Sequence, residues 1–283
     1  MRGKIVVVAA SLFVFSCASL LSAGETEQDI VNRYLKKVEA KHARKISWFA
    51  ANFTLNRINR HNDYNDFATY SSNHFTNTTI PWLGEAKSFG VDLGLVFGKR
   101  FAWSLGGEYW LKLGMNQTGS FDYAPPAGSP TVVTDLVSEI KVYGISSSIQ
   151  YYLYNSPSKL DLLNNFAVRV GGSIGYYQAS WDVWNEYQNL NLATSTPTGG
   201  NTAFKASAPS FALNVGVDYP LSFFNMALGV DLSYLYLNFN NVAWYNALNQ
   251  EVIATYDGTP EGRVDLGLSG IRGKVEVKRY FKW

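Results

Sequence analysis

Apolar and polar positions alternate with a period of two through most of this chain. Residues 88–114 show it most plainly. Phe89, Val91, Leu93, Leu95 and Phe97, then Phe101, Trp103, Leu105, Tyr109, Leu111 and Leu113 hold one parity. Ser88, Gly90, Asp92, Gly94, Ala102, Ser104, Gly106, Glu108 and Lys112 hold the other. A strand turns successive side chains to opposite faces, so this alternation predicts two strands with one apolar face each. The loop Gly98-Lys99-Arg100 keeps the parity and predicts a hairpin.

The pattern recurs in Tyr143–Leu153, Phe166–Tyr176, Phe211–Tyr219, Met226–Tyr234 and Ile271–Trp283, each with Gly, Ser, Ala or charged residues on the alternate face. Residues 46–57, with Phe49, Ala51, Phe53 and Leu55 on one side, supply an eighth strand. An even number is what a closed single-chain bacterial barrel requires.

The links between these strands alternate in length. Residues 98–100, 155–164 and 220–225 are short, whereas 58–85, 114–135, 182–203 and 241–262 are long, polar and rich in aromatics. Along the apolar face the aromatics fall in two bands. Phe97, Phe101, Trp103, Tyr151, Phe166, Tyr219, Phe281 and Trp283 lie near the short links; Phe89, Tyr109, Tyr143, Tyr176, Phe211, Tyr234 and Tyr236 lie near the long ones. Val, Leu and Ile fill the interval, as the boundaries between headgroups and hydrocarbon demand. A soluble sandwich also alternates, but it has no reason to segregate its loops or band its aromatics.

One segment departs from the period of two. Within residues 25–44, Ile30, Val31, Tyr34, Leu35 and Val38 recur at helical spacing, and Lys36, Lys37, Lys41 and Arg44 make the far half basic. The reading is therefore an all-β chain: an eight-stranded antiparallel transmembrane β-barrel over residues 45–283, preceded by a short N-terminal amphipathic helix on the periplasmic side.

Charge sharpens the picture. The polar face carries Asp92, Glu108, Asp218, Asp231 and Glu276 against Lys112, Arg169, Arg272, Lys274 and Lys278. Eight strands enclose an interior that side chains nearly fill. Isolated buried ions cost several kcal/mol each, so these ten must pair. The expectation is a charge-paired lumen with at most limited passive permeability. Gly94, Gly106, Gly171, Gly175 and Gly216 share that face, where they relieve crowding.

The chain opens with Arg2 and Lys4, an apolar run from Ile5 to Leu21, and Ser22-Ala23-Gly24. That is the layout of a secretory signal peptide over residues 1–23. Its removal takes away the single cysteine, Cys17, and leaves 22 basic against 22 acidic residues. A neutral balance excludes nucleic acid as a partner, which would require clustered positive charge.

The closing stretch, KVEVKRYFKW, places Val275, Val277, Phe281 and Trp283 on one parity. Here the chain resembles the small eight-stranded bacterial outer-membrane β-barrel family, whose members end in an aromatic preceded by apolar residues at every second position. The resemblance covers residues 46–283. It implies location in the cell outer membrane, outer-membrane lipids as surroundings, a monomeric state, and recognition of that terminal pattern by the barrel-assembly machinery. Arg279 departs from the pattern, a cation on the lipid-facing parity that would snorkel to headgroups.

Candidates for chemistry are few. The histidines are His42, His61 and His74, and Asp63, Asp66, Ser71 and Ser72 lie near the last two. Some barrels of this family are lipid-A-modifying enzymes that use His, Ser and acidic groups, so an enzyme acting through His61 or His74 is the alternative reading. A catalytic arrangement needs convergence in space. The expectation is no catalysis, no cofactor and no metal, because no ligand spacing or phosphate-cradling motif is present. The loop aromatics Tyr64, Phe67, Tyr70, Phe121, Tyr123, Trp184, Tyr187, Trp244 and Tyr245 are read as packing over the barrel mouth, or as a binding surface.

Overall fold

The computed structural model describes residues 46–59, 62–74, 79, 81–98, 100–113, 121–123, 132–134, 136–154, 166–185, 202–221, 225–245, 250–252 and 263–282. The signal peptide read at 1–23, the helix read at 25–44, and Trp283 lie outside the described residues.

Eight long strands follow in order: β1 (Ile46–Ile58), β2 (Glu85–Phe97), β3 (Phe101–Leu113), β4 (Leu136–Tyr154), β5 (Ala167–Asn185), β6 (Thr202–Leu221), β7 (Met226–Val242) and β8 (Gly270–Lys282). Each runs antiparallel to the next. β8 then closes on β1, from Ile46 opposite Lys282 to Ile58 opposite Gly270. Every barrel strand thus has a partner on both sides. A closed sheet is the one β arrangement that leaves no free edge in hydrocarbon.

The wall is apolar outside. Leu213 is 75% exposed and Ile174 62%, while Arg169, on the opposite parity of β5 from Ile174, is 0% exposed. Both aromatic bands stand on this outer wall, among them Phe89, Phe97, Phe101, Tyr109, Tyr143, Phe166, Tyr176, Phe211, Tyr219, Tyr234 and Phe281. Arg279 stands with them, its guanidinium 5.5 Å from the Phe281 ring. An exposed apolar belt of this extent cannot face water in a soluble monomer.

Two features of the interior differ from the sequence reading. The first is a helix, α1 (Asp63–His74), within the segment read as an irregular loop at 58–85. The Asn62 side chain accepts the Asn65 N–H at 3.0 Å, an N-cap. Asp63 and Asp66 occupy the first turn, where the helix dipole favours negative charge. The helix lacks a continuous apolar stripe, so periodicity gave no sign of it.

The second concerns the inward face, which is polar only in its middle. Toward the long loops it becomes apolar: Trp110, Ile140, Val142, Trp181, Leu237 and Phe239 are buried together with Val264, Leu266 and Leu268, with Leu83 and with Tyr64 and Ala68 of α1. The Tyr64 and Trp181 rings lie 5.2 Å apart. Inward side chains here meet α1 and the 264–268 segment rather than water, so apolar residues are the stable choice. A smaller apolar floor closes the short-link end, built from Ile46, Trp48, Ala50, Ala102, Tyr152, Ala167, Ala227 and Tyr280.

Inward glycines make room for this filling. Gly94 pairs with Trp48 across β1 and β2, and a Cβ there would stand inside the indole ring. Gly106 pairs with Asp92, Gly144 with Tyr177, Gly216 with Asp231 and Gly229 with Glu276. At each of these a Cβ would overlap the partner side chain. Bulk on one strand is matched by absence of bulk directly across, which lets eight strands hold large side chains without strain.

Candidate functional site

The charged middle of the barrel is the densest group of ionisable side chains among the described residues. Arg169 of β5 lies at its centre. Its Nε donates to Asp218 Oδ1 of β6 at 3.1 Å, and its Nη2 donates to Asp231 Oδ2 of β7 at 3.0 Å and to Glu276 of β8. Lys278 Nζ donates to both Asp218 oxygens, at 2.9 and 3.0 Å, and lies 3.0 Å from Glu276 Oε1. Lys274 Nζ reaches Glu276 at 3.2 Å, Asp92 at 3.4 Å and Asp231 at 3.6 Å. A second knot lies toward the long loops, where Glu108 of β3 receives Arg272, the Ser88 hydroxyl and the Tyr177 hydroxyl.

Of the ten ionisable residues read from the sequence, nine are therefore drawn into these two knots. Lys112 lies in β3, but its side chain is outside the described residues; a register shift between Trp110 and Leu113 interrupts the ladder there. Parity alone brought the nine together, because charges two residues apart share a face and neighbouring strands align those faces.

Sequence reasoning named the ions but missed their neutral partners. Tyr152 donates to Asp218 at 3.3 Å, Tyr177 to Glu108 at 2.7 Å, and Asn52 to Asp92 at 2.8 Å. All three sit on the inward parity, which was the available signal. Two tryptophans bracket the ions. Arg272 lies 5.9 Å from the Trp110 ring centroid and Lys278 5.6 Å from that of Trp48, each able to form a cation–π contact.

Chemically, the arrangement is a network of paired charges shared among four strands and more. Arg169, Lys274 and Lys278 each lie within reach of two or three carboxylates, and Arg272 is held by Glu108. A small polar chamber of about 90 Å³ opens within the network, lined by Asp92, Glu108, Asp231, Arg272 and Lys274 together with Thr54, Ser146, Ser148, Ser173 and Asn214. Among the described residues no group of three or more His, Cys, Asp or Glu could hold a metal ion.

The chain is similar to the outer membrane protein OprG from Pseudomonas aeruginosa across 85% of its own length and 97% of that protein's, with a TM-score of 0.50 and 10% identity. This is the fold of a small outer-membrane β-barrel. A major outer membrane protein from Thermus thermophilus matches over 85% of this chain and 100% of its own, at TM-score 0.45 and 14% identity. Neisserial surface protein A matches over 85% and 97%, at TM-score 0.38 and 12% identity. No family model matches the sequence, and no curated protein does. Similarity at this level of identity speaks for the barrel's architecture alone.

The barrel's loop end carries the remaining candidates. α1 is fastened by Asn65, whose side chain accepts the Leu83 N–H at 2.7 Å and donates to the Leu83 carbonyl at 3.4 Å. Asp63 accepts the Asp265 N–H at 2.6 Å. Partial burial raises the Asp63 pKa, the Asp265 N–H opposes that rise, and the nearby Asp265 and Asp66 charges add to it. His42, His61 and Tyr187 lie outside the described residues, as do the side chains of His74, Ser71, Phe67, Tyr70, Phe121, Tyr123, Trp184 and Trp244. Tyr64 packs inward as the mouth-packing reading expects, and Tyr245 is 37% exposed.

Proposed function

We propose that the protein is a sealed structural barrel of the outer membrane, which holds its long loops at the cell surface and does not work as a diffusion pore or an enzyme. The observation that carries this reading is the filling of the interior at three successive levels. The floor around Trp48 and Tyr280, the ions around Arg169, and the apolar cap around Trp110, Trp181 and α1 each occupy the lumen. Between them, among the described residues, lies a polar chamber of about 90 Å³.

Reconstitution in planar bilayers tests the reading. The expected trace is flat apart from rare, brief openings. A steady, reproducible open-channel current would overturn it. The outer membrane's lipids are the barrel's surroundings in this account, and a single chain suffices for the closed sheet. Val275, Val277 and Phe281 stand exposed on the outer side of β8. That placement supports the assignment of these three residues to an assembly signal for the barrel-assembly machinery, which the sequence reading extends to Trp283. Alanine at Phe281 and Trp283 together should lower the folded fraction in cells while leaving refolding of the purified chain intact.

A further inference from the structure

The polar chamber within the barrel is walled by three acids, Asp92, Glu108 and Asp231, but by two cations, Arg272 and Lys274. The other four ions of the network balance, Arg169 and Lys278 against Asp218 and Glu276. One negative charge is therefore left over among the described residues of the network. A charge shut away from bulk water is costly unless something of opposite sign accompanies it.

The same chamber has polar atoms whose bonding is unmet. Thr54 Oγ1, Gln150 Oε1 and Asp231 Oδ1 have no hydrogen-bond partner, although each of these residues is 5% exposed or less. Arg169 and Lys274 hold Asp231 by its other oxygen, Oδ2, at 3.0 and 3.6 Å. Arg272 Nε is a further unpartnered atom on the chamber wall, and it is a donor. Unpartnered oxygens thus outnumber it, and oxygen is the ligand that hard cations take. The volume, about 90 Å³, is that of roughly three water molecules. An alkali ion with one or two waters fits that space.

We infer that the chamber binds one small monovalent metal cation of about the size of sodium. Asp231 Oδ1 is its charged ligand, and the accompanying water carries the coordination to Thr54 and Gln150, while Arg272 Nε donates to that water. A divalent ion would replace the leftover negative charge with a leftover positive one. One carboxylate and neutral oxygens complete the shell of a monovalent ion, so no cluster of three acids is needed. The site goes beyond the sealed-barrel reading and can fail separately from it. A leaky lumen would show as current across a bilayer, whereas a missing site would show as indifference to the cation supplied.

The test compares the purified full-length protein, folded in detergent, in sodium chloride and in choline chloride at equal ionic strength. Sodium should raise the thermal unfolding midpoint, followed by heat-modifiable gel mobility, by about 5 °C over choline. Protein folded in radioactive sodium should carry one ion per barrel through desalting. Asp231→Asn cancels the leftover charge and should abolish both effects. Thr54→Val with Gln150→Met keeps the volume, should weaken sodium retention roughly tenfold, and decides the matter if Asp231→Asn does not fold. Lys141→Gln, an exposed cation outside the chamber, should change nothing. Equal midpoints in sodium and choline with no retained ion would overturn the inference and leave water as the occupant. So would stabilisation by calcium but not by sodium, or full retention in the chamber variants.

Discussion

The interior is filled by opposite means at two levels. Around Arg169 the lumen is closed by ions, each donating to or accepting from several others. One level up, around Trp181, it is closed by aromatic and aliphatic side chains like those of a soluble core. The difference follows from what covers each level. The middle is ringed only by strands, whose inward positions alternate with lipid-facing ones and carry small or charged residues. The loop end gains α1 and the 264–268 segment as extra layers, so an apolar core can form. The ions depend on one another's presence, whereas the apolar cap depends on volume.

Removing one member of each level breaks this comparison most sharply. Arg169→Met leaves Asp218, Asp231 and Glu276 without their shared cation. Breaking a buried pair on one side costs about 3–5 kcal/mol, so urea unfolding in vesicles should show a loss of that size. Trp181→Ala removes a fully buried ring from the cap and should cost about 3 kcal/mol by the same assay. A further contrast separates them. The loss at Arg169 should shrink when the acids are neutralised as well, while the loss at Trp181 should not respond to charge.

Smaller effects sharpen the picture. Gly94→Ala forces a methyl group toward the Trp48 ring and should cost about 1–3 kcal/mol. Asn65→Ala removes both bonds to Leu83 and should cost about 1–2 kcal/mol, seen as faster amide exchange at α1 with β-strand protection unchanged. Asp63 gives the smallest effect. Its folded-state pKa is raised, so its protonated form favours docking of α1. That contribution is fully present below the unfolded value and fades as pH rises through the raised one. Asp63→Asn should remove the fade, a change of a fraction of a kcal/mol because the group is half exposed.

The barrel was legible because the bilayer imposes a strict rule. A strand between lipid and lumen must alternate, so Phe89, Val91 and Leu93 announce one face, and Ser88 and Asp92 announce the other. The ionic residues were legible for the same reason. Trp110 and Trp181 were not assigned to an apolar cap, because their burial depends on α1, which arrives from a different part of the chain. α1 itself is short and polar, held by Asn62, Asn65 and Asp63 through hydrogen bonds that leave no periodic trace. Tyr152 and Tyr177 escaped because tyrosine at an inward position reads as a misplaced girdle residue until its hydroxyl is seen on a carboxylate.

The sealed interior is tested most directly from within the chamber. Ser148 lines it and shares a hydrogen bond with Ser104 at 2.5 Å. In proteoliposomes, Ser148→Cys should resist a charged, membrane-impermeant thiol reagent added on either side, while a cysteine at exposed Tyr245 reacts at once. Rapid labelling of Ser148→Cys in the folded barrel would contradict the account, because it would reveal an aqueous path past the ions or the cap.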